Sequence, residues 1–187
     1  MKSGSLVLAV LASGAICAAQ TASPTTSSPA PAATGAPAEG SVTQGRVSGT
    51  LTCTKPDPMH RVAVADWPGH AATASRTPCT WTKAAEIAGV TTKDGYSVGS
   101  ADIEGTVATE RGSHVTMMSN GDHIFVAFRG KGMLSGSGAP QSSDGSWNFK
   151  GGDGKFAKLQ GMGTYRGKAN ADGSVSLTIE GNYRLPE

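Results

Sequence analysis

Three things are scarce in this chain of 187 residues: cysteine, with three; aromatic side chains, at 5%; and surplus charge, with a formal net of +2. Cys17 falls inside the apolar leader, so Cys53 and Cys79 are the pair left to the rest of the chain. They form no CxxC, which argues against a cysteine metal cluster or a dithiol redox motif. Basic residues are scattered rather than clustered, and without a basic patch there is no electrostatic footprint for nucleic acid. No apolar run approaches the roughly 20 residues of a membrane-spanning helix. An outer-membrane barrel needs an apolar outer band and aromatic girdles, whereas Asp102, Glu104 and Glu110 read here as the wet face of a strand and aromatics are few. A P-loop is excluded as well. Gly154-Lys155 is followed by Phe156 instead of Ser or Thr, and no glycine stands five positions before Gly154.

What is present divides the chain into three. Residues 1–19 join Lys2, an apolar stretch from Leu6 to Ile16, and the small residues Ala18 and Ala19, the layout of a secretory signal peptide cut before Gln20. Residues 20–40 are nearly all Ala, Pro, Thr, Ser and Gly, too poor in apolar surface to offset the entropy of ordering, and read as a disordered linker. Residues 41–187 have the length of one domain. The expected location is secreted or periplasmic, an oxidising compartment in which Cys53 and Cys79 pair. Closing that loop would contribute roughly 3.5 kcal/mol by the chain-entropy model.

The domain reads as β throughout. Val47, Gly49, Leu51 and Cys53 alternate with polar residues in a half-buried strand, and His60 to Asp66 and Cys79 to Gly89 read as further strands. From Asp102 to Glu110 the pattern puts Ile103, Gly105 and Val107 on one face, and Val115 and Met117 alternate between Ser113 and Ser119. Asn120-Gly121 predicts a type I′ hairpin turn into His123 to Arg129. Trp147 and Phe149 alternate into a Gly151-Gly152-Asp153-Gly154 turn, Phe156 starts the return strand, Tyr165 follows, and Val175, Leu177 and Ile179 form a last run of period two. About eight strands, frequent turn signals and no helical pattern predict a single antiparallel eight-stranded up-and-down barrel, whose interior is just wide enough for side chains or one small ligand. The predicted inward set is Val47, Leu51, Ile103, Val107, Val115, Met117, Ile124, Val126, Phe128, Val175, Leu177 and Ile179.

Gly151-Gly152-Asp153-Gly154-Lys155-Phe156, with Gly161 beyond it, resembles the GGTGxF segment of plant dirigent proteins and allene oxide cyclases, with Asp153 in place of the family threonine. The resemblance covers about a dozen residues. It implies an eight-stranded barrel with an apolar cavity that holds a hydrophobic or reactive small molecule and steers its cyclisation or coupling, often as a trimer. It carries over no catalytic residue, because these glycines shape a turn.

The aromatic and apolar residues expected to line or plug a lumen are Trp81, Met117, Val126, Phe128, Trp147, Phe149, Tyr165 and Tyr183. His60, Asp66 and His70 share one Pro-rich region, but their spacing fits no metal signature, and solvated loop groups are the simpler reading. His114 and His123 flank the hairpin and read as a cross-strand surface pair. Both faces of His123 to Arg129 are apolar, so Phe125 and Ala127 should be covered by a tail, a loop or a second subunit of a homo-oligomer. Neither metal nor cofactor is expected, and no catalytic residue emerges. Three functions fit: an exported barrel that binds a small apolar molecule, a cofactor-independent dirigent-like or cyclase-like enzyme, or an envelope structural protein with a packed lumen.

Overall fold

The computed structural model describes residues 41–187; the predicted signal peptide and linker lie outside the described residues. Ten strands run in chain order: β1 (Val42–Cys53), β2 (Met59–Ala63), β3 (His70–Lys83), β4 (Glu86–Ile87), β5 (Val90–Glu104), β6 (Val107–Met118), β7 (His123–Leu134), β8 (Pro140–Gly152), β9 (Gln160–Ala169) and β10 (Val175–Pro186). A 3-10 turn, Gly154–Phe156, separates β8 from β9. Strands β5 to β10 form an antiparallel meander, β10 pairs with β1, β1 with β3, and β3 with β5. The result is the predicted closed eight-stranded barrel, with β2 and β4 paired at its margins. Closure leaves those eight strands without the open edges that favour aggregation.

The predicted disulfide is present. Cys53 and Cys79 stand opposite one another where β1 meets β3, and both sulfurs are buried against Leu51. One end of the barrel is packed solid. Ala85, Ile87, Met118, Phe156 and Leu159 are all at most 2% exposed there, and burying each large one contributes roughly 1.5–3 kcal/mol. Phe156 does not begin a return strand. It sits in the 3-10 turn after the glycine segment and plugs this end, while Gly151 and Gly154 take the positive φ values of 90° and 48° that the turn requires.

Two local expectations are corrected. Asp102 to Glu110 is not one strand, because Gly105 (φ 61°) and Thr106 make a two-residue turn between β5 and β6. That turn reverses the parity expected for β6: Val107, Val115 and Met117 face outward, and Ala108, Glu110, His114 and Thr116 face inward. The other nine members of the predicted inward set lie inside, in the core or along the lumen. The Asn120-Gly121 hairpin forms, but only Gly121 has positive φ. Met118 accepts from Gly121 N–H and donates to Asp122 C=O, which makes a three-residue loop with a left-handed glycine instead of a type I′ turn. Among the described residues no helix is long and apolar enough to cross a membrane.

Candidate functional site

Above the packed end the barrel encloses a cavity of about 310 Å³. Val47, Leu51, Ile124, Val126, Leu177 and Ile179 supply aliphatic wall, and exposed Pro56, Pro140 and Ser142 mark where the cavity reaches solvent. Its width depends on a pairing of large rings with glycines. Tyr165 on β9 lies across Gly145 of β8 and Gly130 of β7, in register, to reach Glu110 of β6. A Cβ on Gly145 would stand 2.6 Å from the Tyr165 ring, and one on Gly130 would collide with the phenol oxygen. Trp147 covers Gly163 and Gly181 in the same way, at 2.6 and 2.5 Å. Phe128 meets Tyr165 edge to face, with ring centres 6.4 Å apart.

Besides Thr73, Ser75, Thr77, Ser100 and Arg111, two hydrogen-bonded polar groups stand on this wall. The Tyr165 hydroxyl donates to Glu110 Oε1 at 2.6 Å. Burial, reinforced by that carboxylate, raises the Tyr165 pKa well above a phenol's ordinary value, so the ring stays protonated. Deeper in, His114 Nδ1 lies 2.9 Å from Ser97 Oγ, His114 Nε2 lies 2.8 Å from Thr116 Oγ1, and Trp81 Nε1 donates to the same Thr116 oxygen at 3.1 Å. Burial lowers the His114 pKa to about 4, which leaves the ring neutral at ordinary pH.

Six of the eight expected lumen residues line the cavity: Trp81, Val126, Phe128, Trp147, Phe149 and Tyr165. Met117 does not; the parity reversal leaves it 39% exposed on the outer face. Tyr183 packs beneath the cavity, where its hydroxyl accepts from Ala88 N–H at 2.9 Å and holds the β4–β5 turn. The lumen positions of Glu110, His114 and Thr116 escape sequence reasoning because Gly105-Thr106 reads as strand. Their alternation with Ala108 and Gly112 on one parity of β6 was the available signal.

His114 and His123 are not a surface pair. His114 is opposite Val126 and buried, whereas His123 is opposite Met117 on the outside and bonds Asp153 at 2.9 Å. Of the polar loop trio, Asp66 and His70 come together and His60 remains apart on exposed β2. His70 Nδ1 lies 2.6 Å from Asp66 Oδ1 and Nε2 lies 2.9 Å from Asp102 Oδ1, with Trp67 stacked on the ring at 4.3 Å. The Asp66 hydrogen bond first, and Asp102 after it, raise the His70 pKa. His70, Asp102 and Glu104 bring ligand atoms within 4.8 Å of one another on the outer surface, with both carboxylates exposed.

No family model matches the chain, and no curated protein matches it. Among solved structures it is similar to a pterocarpan synthase dirigent protein, with a TM-score of 0.50 and 12% identity over 79% of this chain and 93% of that one. At that identity the likeness is one of fold, and it agrees with the glycine segment and the closed strand order: the domain is a dirigent-type, allene oxide cyclase-like eight-stranded β-barrel.

Proposed function

We propose that the protein is exported and that its barrel binds a small apolar molecule. The observation that carries this is the lumen itself, a cavity of about 310 Å³ with mainly hydrocarbon walls on a rigid closed sheet. An envelope protein of purely structural role called for a filled lumen, and this one has room. Export is supported by the leader-like first 19 residues and by a disulfide that suits an oxidising compartment. A second copy of the chain is the proposed cover for the apolar outer face around Phe125.

The Glu110–Tyr165 pair favours a second reading, a cofactor-independent cyclase or coupling barrel of the kind the dirigent-type fold suggests. Walls that fix the fold of a bound intermediate would contribute proximity and orientation, and the protonated Tyr165 with its carboxylate neighbour would exchange a proton with it.

One experiment addresses both. Titration of a hydrophobic fluorescent probe should show saturable binding to wild type, unchanged by EDTA and at least tenfold weaker in Phe128→Asp, where a carboxylate enters the lumen. Ligand extracted from the native protein is then re-incubated with fresh wild type and with Glu110→Gln. Ligand returned unchanged by both supports the binding protein, whereas an isomer of equal mass formed by wild type and not by Glu110→Gln supports the cyclase. Failure of every probe to bind overturns the lumen reading.

A further inference from the structure

The polar cluster at the lower lumen wall has a defined direction of hydrogen bonding. Thr116 is fully buried, and its hydroxyl oxygen meets Trp81 Nε1 and His114 Nε2. An indole nitrogen can only donate. The Thr116 proton is therefore paired only if it is given to His114 Nε2, which must then be the accepting nitrogen. The single proton of the neutral imidazole consequently sits on Nδ1 and is donated to Ser97 Oγ at 2.9 Å. Ser97 thus uses its oxygen as acceptor and keeps its own hydroxyl hydrogen free. The other neighbour of that oxygen is Cys79 Sγ at 3.9 Å, part of the disulfide and a poor acceptor.

Ser97 lies on β5 opposite His114 and lines the cavity, while its neighbours on the same face are glycines covered by rings, Gly95 by His114 and Gly99 by Phe128. An unpaired donor at an apolar wall discriminates strongly, because a ligand that leaves it unsatisfied forfeits the bond while one that satisfies it gains it. We infer that Ser97, oriented by His114, Thr116 and Trp81, is the donor of a lumen subsite that selects a ligand carrying an uncharged acceptor oxygen, a ketone, ester or ether, on an otherwise apolar frame. The inference rests on the reading that the lumen is a binding site, and it adds the chemical class of what binds there. Ser97 contacts the ligand; His114 is a positioning residue.

The test uses the disulfide-bonded protein and two probes of equal shape, 2-acetylnaphthalene and 2-isopropenylnaphthalene, which differ by a carbonyl oxygen against a methylene. The ratio of their affinities should fall about three- to tenfold from wild type to Ser97→Ala, the size of one neutral hydrogen bond. Hydrocarbon binding itself should hold, and Ser97→Thr should restore the ratio. The carbonyl stretch of bound ketone should move to lower frequency in wild type and return in Ser97→Ala. Saturable binding of both probes with the same ratio in wild type and Ser97→Ala overturns the subsite and leaves the lumen reading standing. Binding of neither probe to wild type overturns both.

Discussion

Burial lowers the His114 pKa to about 4 from an ordinary 6.5, so the unfolded chain binds a proton more readily than the folded one between those values. Stability from this residue is fully present above pH 6.5 and is lost as pH falls toward 4, by about 3 kcal/mol in all. His70 has the opposite sign. Its pKa is raised, first by Asp66, so its contribution is complete below pH 6.5 and is lost as pH rises through the folded value. The melting temperature should therefore fall on both sides of about pH 6.5, as these two shifts require. His114→Gln, which can keep bonds to Ser97 and Thr116, should flatten the acid limb, and His70→Gln the alkaline one. Thermal melts of the three proteins from pH 4 to 8.5 decide this, and an acid limb unchanged in His114→Gln would count against a buried neutral imidazole. None of this was legible residue by residue. A histidine beside a hairpin looks like surface until the parity of its strand is known.

Parity is a property of the element, and the strands differ in how openly they display it. Strand β10 is readable because Val175, Leu177 and Ile179 alternate with polar residues without interruption, whereas β7, apolar on both faces, announces a strand more openly than its parity. Strand β6 was misread because Glu104-Gly105-Thr106-Val107 continues the rhythm of alternation straight through a two-residue turn, and each such turn puts its flanking residues on the same face. The many glycines looked like bulge markers, and some are; others are the floor on which aromatic rings lie, a role visible only once strand register is known. Gly145 tests that role. Gly145→Ala places a methyl 2.6 Å from the Tyr165 ring and against the Arg129 carbonyl, and overpacking of this kind costs about 1–3 kcal/mol, roughly 5 °C or more in melting temperature. Gly136→Ala, where a Cβ meets nothing within 4 Å, should change little. In Gly145→Ala/Tyr165→Leu the loss should be smaller than the two single losses added together, because the second change removes the ring's share of the obstacle and leaves only the Arg129 carbonyl. Strict additivity would detach the glycine from the ring.

At the scale of the whole molecule, closure explains both the cavity and the problem left outside it. Eight strands that share their hydrogen bonds around a ring need no partner along their edges, yet β5 to β7 carry apolar side chains outward as well as inward. Phe125 stands opposite Val115 and Val115 opposite Tyr96, while Ala127, Ser113 and Val98 form the next row. Phe125, Met117 and Val98 are 38%, 39% and 49% exposed on the single chain. The Arg76 guanidinium, 4.4 Å from the centre of the Tyr96 ring, borders this strip with a cation–π contact. An apolar strip with a polar border is how an interface is usually built. A second copy of the same chain suits it, because a strip spanning three strands of one rigid sheet can pack against its own equivalent without rearrangement. Wild-type protein should therefore sediment as an oligomer, and Phe125→Asp as a smaller particle with an unchanged far-ultraviolet spectrum and an unchanged affinity for a lumen probe, since Phe125 lies on the opposite face of β7 from Val126 and Phe128. The substitution leaves the inner wall alone, so loss of probe binding together with loss of assembly would mean that the lumen is shaped by the neighbour. A wild type that sediments as a monomer at micromolar concentration would show that this face is left to water.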